Sequence, residues 1–242
     1  MDELDAVTAF SRTLTHPNRH PKDAATLILV DRAGRTPKVL LGKRHHAHAF
    51  LPGKYVFPGG RVDPQDRFMP VAKPFDPRVE ARLMRNVVRP SRAKAQAFGL
   101  SAIRETFEEA GLLIGLPRHD RPPAPQGCWS EFAMKGLYPN LSELHFVARA
   151  ITPPRNSRRF DARFFTADAS AIAHRLDGVV HGNAELVDMK WLPISEARSL
   201  DLPDITMIVL QEIESRISAG FQHDLPVPFF RMRHNNFVRE LL

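Results

Sequence analysis

Apolar and polar positions alternate in a way that cuts the chain into short elements. Residues 24–31, AATLILVD, form a β-branched apolar run that ends at DRAGRTPK. This predicts a strand followed by a turn carrying Gly34 and Pro37. KVLLGKR (38–44) predicts the hairpin partner, and KYVFPGG (54–60) a third short strand ending in a Pro-Gly-Gly break. SELHFVARAIT (142–152) and ARFFTADA (162–169) predict two strands around a Pro/Arg-rich loop. AELVDMKWLP (184–193) predicts another, with SEARSL opening a short helix. The segment 202–220 predicts a C-terminal helix with Gly220 near its end. Strands and helices interleave without strict βαβ alternation, which points to a layered α+β sandwich rather than a doubly wound sheet. No internal repeat is visible.

Two helices are predicted between these strands. In the first, residues 78–89, Arg78, Arg82, Arg85 and Arg89 share one face, while Val79, Leu83, Val87 and Val88 fall on the other. Pro90 ends it, and Ser91 is an N-cap for the second, which runs from about 92 to Gly111. In that helix Leu100, Ile103, Phe107 and Ala110 form the buried stripe, and Glu105, Glu108 and Glu109 lie opposite. Like charges at these spacings oppose the helix by a few tenths of a kcal/mol per pair, and Arg104 offsets part of this toward Glu108. A solvated acidic face explains such a cluster, and so does a divalent-cation site, because a hard ion takes clustered carboxylate oxygens. The cluster alone does not separate the two.

Composition narrows the class. The 242 residues allow one large domain or two small ones, and 43% hydrophobic with 25% charged residues is ordinary for a globular chain. One cysteine, Cys128, excludes an intramolecular disulfide and fits a reducing compartment. It is read as structural. The opening MDELDAVTAF lacks the features of a signal peptide, the ending RELL is not a peroxisomal address, and no apolar run is long enough to span a bilayer. The expectation is a cytoplasmic protein without membrane contact. The net charge of +7 favours anionic partners, and residues 67–97 hold eight basic and two acidic residues. No aromatic-rich basic platform for RNA is visible.

The string GG…RETFEEAGL resembles the signature of the Nudix hydrolases. Arg104, Glu105, Glu108, Glu109, Gly111 and Leu112 match its second half, with Thr106 in an apolar slot. The first half departs. Gly60 stands 44 residues before Arg104, where the usual pattern has 14, so about 30 residues are inserted. The pattern's first glutamate falls on Asp66 or on Gln96, depending on the side from which one counts. FLPGKYVFPGGRVDPQD (50–66), the long insertion, and FVARAITPPRNSRRFDARFFTA resemble the coenzyme A diphosphatase-like branch.

The resemblance implies a single Nudix domain over 1–242, an α/β/α sandwich with a mixed sheet and a basic helical insertion at about 67–97. It implies Mg²⁺ or Mn²⁺ held by Glu105, Glu108, Glu109 and the Gly59 carbonyl against a diphosphate that water attacks. Glu105 would be a ligand or the base that orients the water, and Arg104 an anchor paired with an acidic residue. Glu185, with Asp188 as competitor, is the candidate extra acid. Gly60, Arg44, Arg82 and Arg85 are the candidate substrate contacts, the last two through an arginine stripe that would clamp a further phosphate. The expected reaction is hydrolysis of coenzyme A or an acyl-CoA to 3′,5′-ADP and (acyl-)4′-phosphopantetheine. Hydrolysis of ADP-ribose, NADH or another nucleotide, and metal-free binding of nucleotide or nucleic acid, are the competing readings. The expected partner is a small nucleotide or CoA-type molecule, not nucleic acid, and a homodimer is left open. RHHAH (44–48), with His45, His46 and His48, is read as a loop near the substrate mouth rather than a zinc site.

Overall fold

The computed structural model describes residues 16–47, 51–234 and 236–242. Strand β1 (Lys22–Asp31) is the spine of a nine-stranded sheet. Along the main path the sheet runs from β11 (Leu186–Pro193) through β2 (Lys38–Arg44), β1, β9 (Phe160–Asp168), β8 (His145–Ile151) and β12 (Pro228–Arg233) to β13 (Asn236–Leu241). Two short strands branch from it: β3 (Tyr55–Val56) pairs with β2, and β4 (Gly59–Arg61) with β1. The β1–β9 and β12–β8 pairs are parallel and the rest antiparallel, so the sheet is mixed. β1 can be apolar almost throughout because both of its faces are covered.

On one face pack α1 (Pro77–Met84), α2 (Arg92–Ala110) and α3 (Trp129–Met134), around Leu27, Phe98, Ile103, Phe132 and Phe165. On the other pack α4 (Ile194–Ala197) and α5 (Asp204–Ser218), around Ile28, Leu41, Val209 and Ile213. These are the three layers expected from the resemblance.

The insertion is part of this architecture. Met69, Phe75, Val79 and Leu83 are buried in the first core, Phe75 stacks on Phe165 at 5.6 Å, and a side chain at Gly99 would collide with the Phe75 ring. Helix α1 is shorter than the predicted 78–89. Asp76 caps its start, but Arg85 is already extended, and Asn86 and Arg89 both have φ of 53°. Val88 is 80% exposed, so beyond the buried Val79 and Leu83 the apolar stripe lacks the packing that would extend the helix.

A further expectation changes. Gly59 and Gly60 belong to strand β4 rather than to a break. The residues after α2 form one more strand. Gly111 closes that helix in the left-handed conformation (φ 69°), and Leu112–Ile114 then forms β5, buried and paired with β10 (Ile172–Arg175). A second small pair joins β6 (Leu116–Pro117) to β7 (Leu137–Tyr138).

Candidate functional site

Helix α2 places the acidic cluster under β4. It is well capped, by the Ser91 hydroxyl accepting from the Lys94 amide and by Gly111. The helix is buried on most of its circumference, so the three glutamates do not form the solvated face that helical periodicity allowed. Glu109 is only 6% exposed, and its carboxylate accepts a 2.9 Å hydrogen bond from the Gly59 amide. Glu105 is largely buried, whereas the Glu108 side chain is 41% exposed.

Arg104 ties this cluster to the loop after β4. Its guanidinium donates to Asp66 (2.8 and 3.2 Å), to Glu105 and Glu108 (2.8 Å each) and to the Arg61 carbonyl (2.8 Å). Asp66 is fully buried and also accepts from the Trp129 indole (3.3 Å) and the Asp63 amide (2.9 Å). The ambiguity over the first acidic position is therefore resolved in geometry. Asp66 is the acid joined to Arg104, and its oxygens are taken up by these donors. Gln96 lies on the first half of α2, away from the cleft. Burial opposes the Arg104 charge, but the hydrogen bonds to Asp66 and the surrounding carboxylates outweigh it and raise its pKa.

Glu185 reaches the same place from the other side. It sits in the bend just before β11 rather than within that strand, and it accepts a 2.7 Å hydrogen bond from Arg44 at the end of β2. Its competitor Asp188 is bonded to Lys190 at 3.0 Å instead and does not line the cleft.

The electrostatics follow from crowding. Burial lifts the Glu105 carboxyl to about 7 against the pull of Arg104, with Glu108 and Glu185 adding to the rise. Burial, then Glu185, pushes Glu109 well above the usual carboxylate range, opposed by the Gly59 amide. Asp66, Glu105, Glu108, Glu109 and Glu185 are thus faced by two guanidiniums, Arg104 and Arg44. Among the described residues, no three His, Cys, Asp or Glu side chains already converge into a finished metal cage. The donor set is nevertheless all oxygen, and its surplus of negative charge is of the kind a hard divalent cation offsets.

The glycines are needed for closeness. A Cβ on Gly60 would lie 2.5 Å from the Glu105 carboxylate, and one on Gly59 would lie 2.5 Å from the Thr26 hydroxyl. Neither has a positive φ. The requirement is space, not backbone conformation.

This pole opens into a cleft of about 900 Å³. Arg44, Arg104, Glu105, Glu185, Gly59 and Gly60 line one part, and Phe57, Ala150, Phe164 and Phe237 form an apolar wall. Of the predicted substrate contacts, Arg44 and Gly60 are therefore here, and Arg82 and Arg85 are not. Arg82 donates instead to the carbonyls of His223, Asp224 and Leu225 (2.7–2.9 Å), and Arg85 is an exposed residue at the end of α1. The arginine stripe breaks because its helix does. His45 and His46 do not line the cleft, and His48 lies outside the described residues. Burial pushes the Cys128 thiol up to about 12, beside Glu108, which keeps it neutral and unreactive. The apolar wall gave no signal in the sequence, since its members come from elements far apart in the chain.

In fold and in the Arg104–Leu112 signature, these features resemble those of the Nudix hydrolases. The structure is similar to a Nudix hydrolase from Alicyclobacillus acidocaldarius, with a TM-score of 0.57 and 29% identity over 79% of this chain and 90% of that one. In sequence it is similar to the acyl-coenzyme A diphosphatases NUDT19 of Xenopus laevis (26% identical, 73% of this chain) and Gallus gallus (27%, 74%). The chain spans 63% and 62% of the length of these two relatives. No family model matches it. The chain is a Nudix-hydrolase-like protein with likeness to the coenzyme A diphosphatase branch.

Proposed function

We propose that the protein hydrolyses the diphosphate bond of a nucleoside diphosphate derivative, and that coenzyme A or an acyl-CoA is its substrate. The observation that carries this is the pair of buried carboxylates held against β4, Glu105 lining the cleft with Glu185 and Glu109 bonded to the Gly59 amide behind it. A protein that only bound nucleotide would gain nothing from carboxylates that repel phosphate. The relatives named as acyl-coenzyme A diphosphatases support the choice of substrate.

Glu105, Glu108, Glu109 and the Gly59 carbonyl are the groups that would hold a Mg²⁺ or Mn²⁺ ion. Such an ion supplies charge neutralisation at the diphosphate and a more acidic attacking water. Glu105, which lines the cleft beside Gly60, would either join in holding the ion or orient the attacking water and take its proton. Arg104 fixes the direction of Glu105 and Glu108 while Asp66 holds Arg104. Arg44, bonded to Glu185, lines the same end of the cleft and can meet a diphosphate oxygen.

The test is a substrate panel with Mg²⁺, Mn²⁺ or EDTA: coenzyme A, acetyl-CoA, a medium-chain acyl-CoA, ADP-ribose and NADH, with products identified by mass spectrometry. Metal-dependent release of 3′,5′-ADP from the CoA compounds is the expected result. Turnover of ADP-ribose or NADH alone would replace the substrate and keep the chemistry. Binding unaffected by EDTA with no turnover of any compound would defeat the proposal.

A further inference from the structure

The cleft has a second charged end that none of the expected site residues occupies. Lys22, at the start of β1, and Arg61, at the end of β4, both line it. Strand register fixes their relation. Arg61 lies directly across from Ala24, and Lys22 stands two residues before Ala24 on β1, so all three share one face of the sheet. Thr26 and its cross-strand partner Gly59 lie on that face too, at the carboxylate end. Four residues of β1 separate Lys22 from Thr26, which is roughly 13 Å of extended strand.

Between the two ends the floor is small and apolar. Ala24 pairs with Ala162, and Ala162 with Ala150, and all three line the cleft. The two cations are exposed, and no ion pair or side-chain hydrogen bond joins either to the described residues. The neighbouring acids are already engaged. Asp23 is bonded to Arg163 at 2.7 Å and to Lys94 at 3.4 Å, and Asp63 accepts from the Gln65 amide at 2.7 Å. Arg61 holds the site anchor Arg104 only through its backbone carbonyl, so its guanidinium has no role in that network.

From this we infer that Lys22 and Arg61 hold a second phosphate, a monoester on the ribose of the substrate, while the diphosphate lies at the carboxylate end. Recognition of a phosphate on the ribose is thereby assigned to the β1–β4 rim and not to the arginines of α1. The inference rests on the proposed nucleotide diphosphatase reading and names the part of the substrate that the cleft selects. Two anionic groups on one ligand, spaced by a ribose, would meet a cationic rim and a cation-requiring carboxylate pole in one cleft. A nucleotide lacking the extra phosphate would leave the rim unused.

The test is isothermal titration of the full chain, with Mg²⁺ present, with 3′,5′-ADP and with 5′-AMP, neither of which carries a diphosphate bond to hydrolyse. The wild type is expected to bind 3′,5′-ADP about tenfold or more tightly than 5′-AMP, as a charge-assisted contact at the extra phosphate would give. Lys22→Met combined with Arg61→Met is expected to abolish the difference and leave 5′-AMP binding unchanged. Both side chains are exposed, and thermal melts check that the double variant keeps its fold. Equal binding of the two nucleotides by the wild type, or an undiminished difference in the folded double variant, would overturn the inference. Hydrolysis of coenzyme A with Mg²⁺ is followed separately. Selective binding without hydrolysis supports the rim and defeats the reaction. Hydrolysis without selectivity does the reverse.

Discussion

Glu109 shows how a single residue is set by its surroundings. It is buried, bonded to the Gly59 amide, and close enough to Glu185 for the two charges to raise its pKa. A glutamine keeps the shape and loses the charge. Glu109→Gln is expected to lower turnover of the substrate found in the panel by about two or more orders of magnitude, in the range that removal of a single charged catalytic group produces. Circular dichroism should show an unchanged fold, and near-wild-type turnover would refute the role. Asp66 is different in kind, since every contact it makes is internal. Asp66→Ala leaves the Arg104 charge buried without its main partner. The expected cost is about 3–5 kcal/mol, read as a lower urea midpoint. A loss below about 1 kcal/mol would show that Arg104 does not depend on it.

At the scale of elements, the insertion is where pattern and structure part. Arginines at helical spacing suggested a clamp, but α1 ends at Met84, and its Arg82 is used to hold the 223–225 loop. Arg82→Ala is expected to cost on the order of 1–3 kcal/mol in thermal or urea stability, because three carbonyls lose a charged donor. Arg85→Ala is expected to stay within about 0.5 kcal/mol of wild type. Neither should change KM for the substrate, and a several-fold rise in KM for Arg85→Ala would restore the clamp. Helix α2 behaved as its sequence indicated at both ends, since Ser91 and Gly111 act locally. The strand after it was hidden, because β5 exists only by pairing with β10, about sixty residues further on.

At the scale of the whole molecule, the face opposite α2 carries a pH-sensitive contact. His145, at the start of β8, stacks on His223 at 4.0 Å and meets Phe221 edge-on at 5.0 Å. Burial, then His223, Arg216 and Arg32, lower its pKa to about 4, with Asp76 opposing. An unfolded histidine titrates near 6.5, so between about 6.5 and 4 the unfolded chain binds the extra proton. This contribution to stability is present above the unfolded value and is lost as pH falls through that window. Glu105 acts in the opposite sense. Its folded carboxyl is raised to about 7, so the folded chain binds more protons over the same range. The difference between wild type and His145→Phe isolates the histidine. Between pH 7 and pH 5 the wild type should lose about 1 kcal/mol more than the variant, allowing for solvent screening at a partly open ring. Urea midpoints at the two pH values measure it, and parallel losses would exclude the effect.

The local signals were sufficient for the strands β1, β2, β8, β9 and β11, for the start and end of α2, and for the signature from Arg104 to Leu112, because each depends on neighbours within a few residues. They were also sufficient for the resemblance to the Nudix hydrolases, since the spacing of Glu105, Glu108 and Glu109 is a property of one helix. The partner of Arg104, the burial of Glu109, the placement of Glu185 rather than Asp188 at the cleft and that of Arg82 and Arg85 away from it were decided by tertiary structure. Each of these depends on which distant backbone covers a side chain and takes it out of water. A carboxylate's neighbours in space set its charge state, and only the folded sheet, with β4 laid across α2, brings those neighbours together.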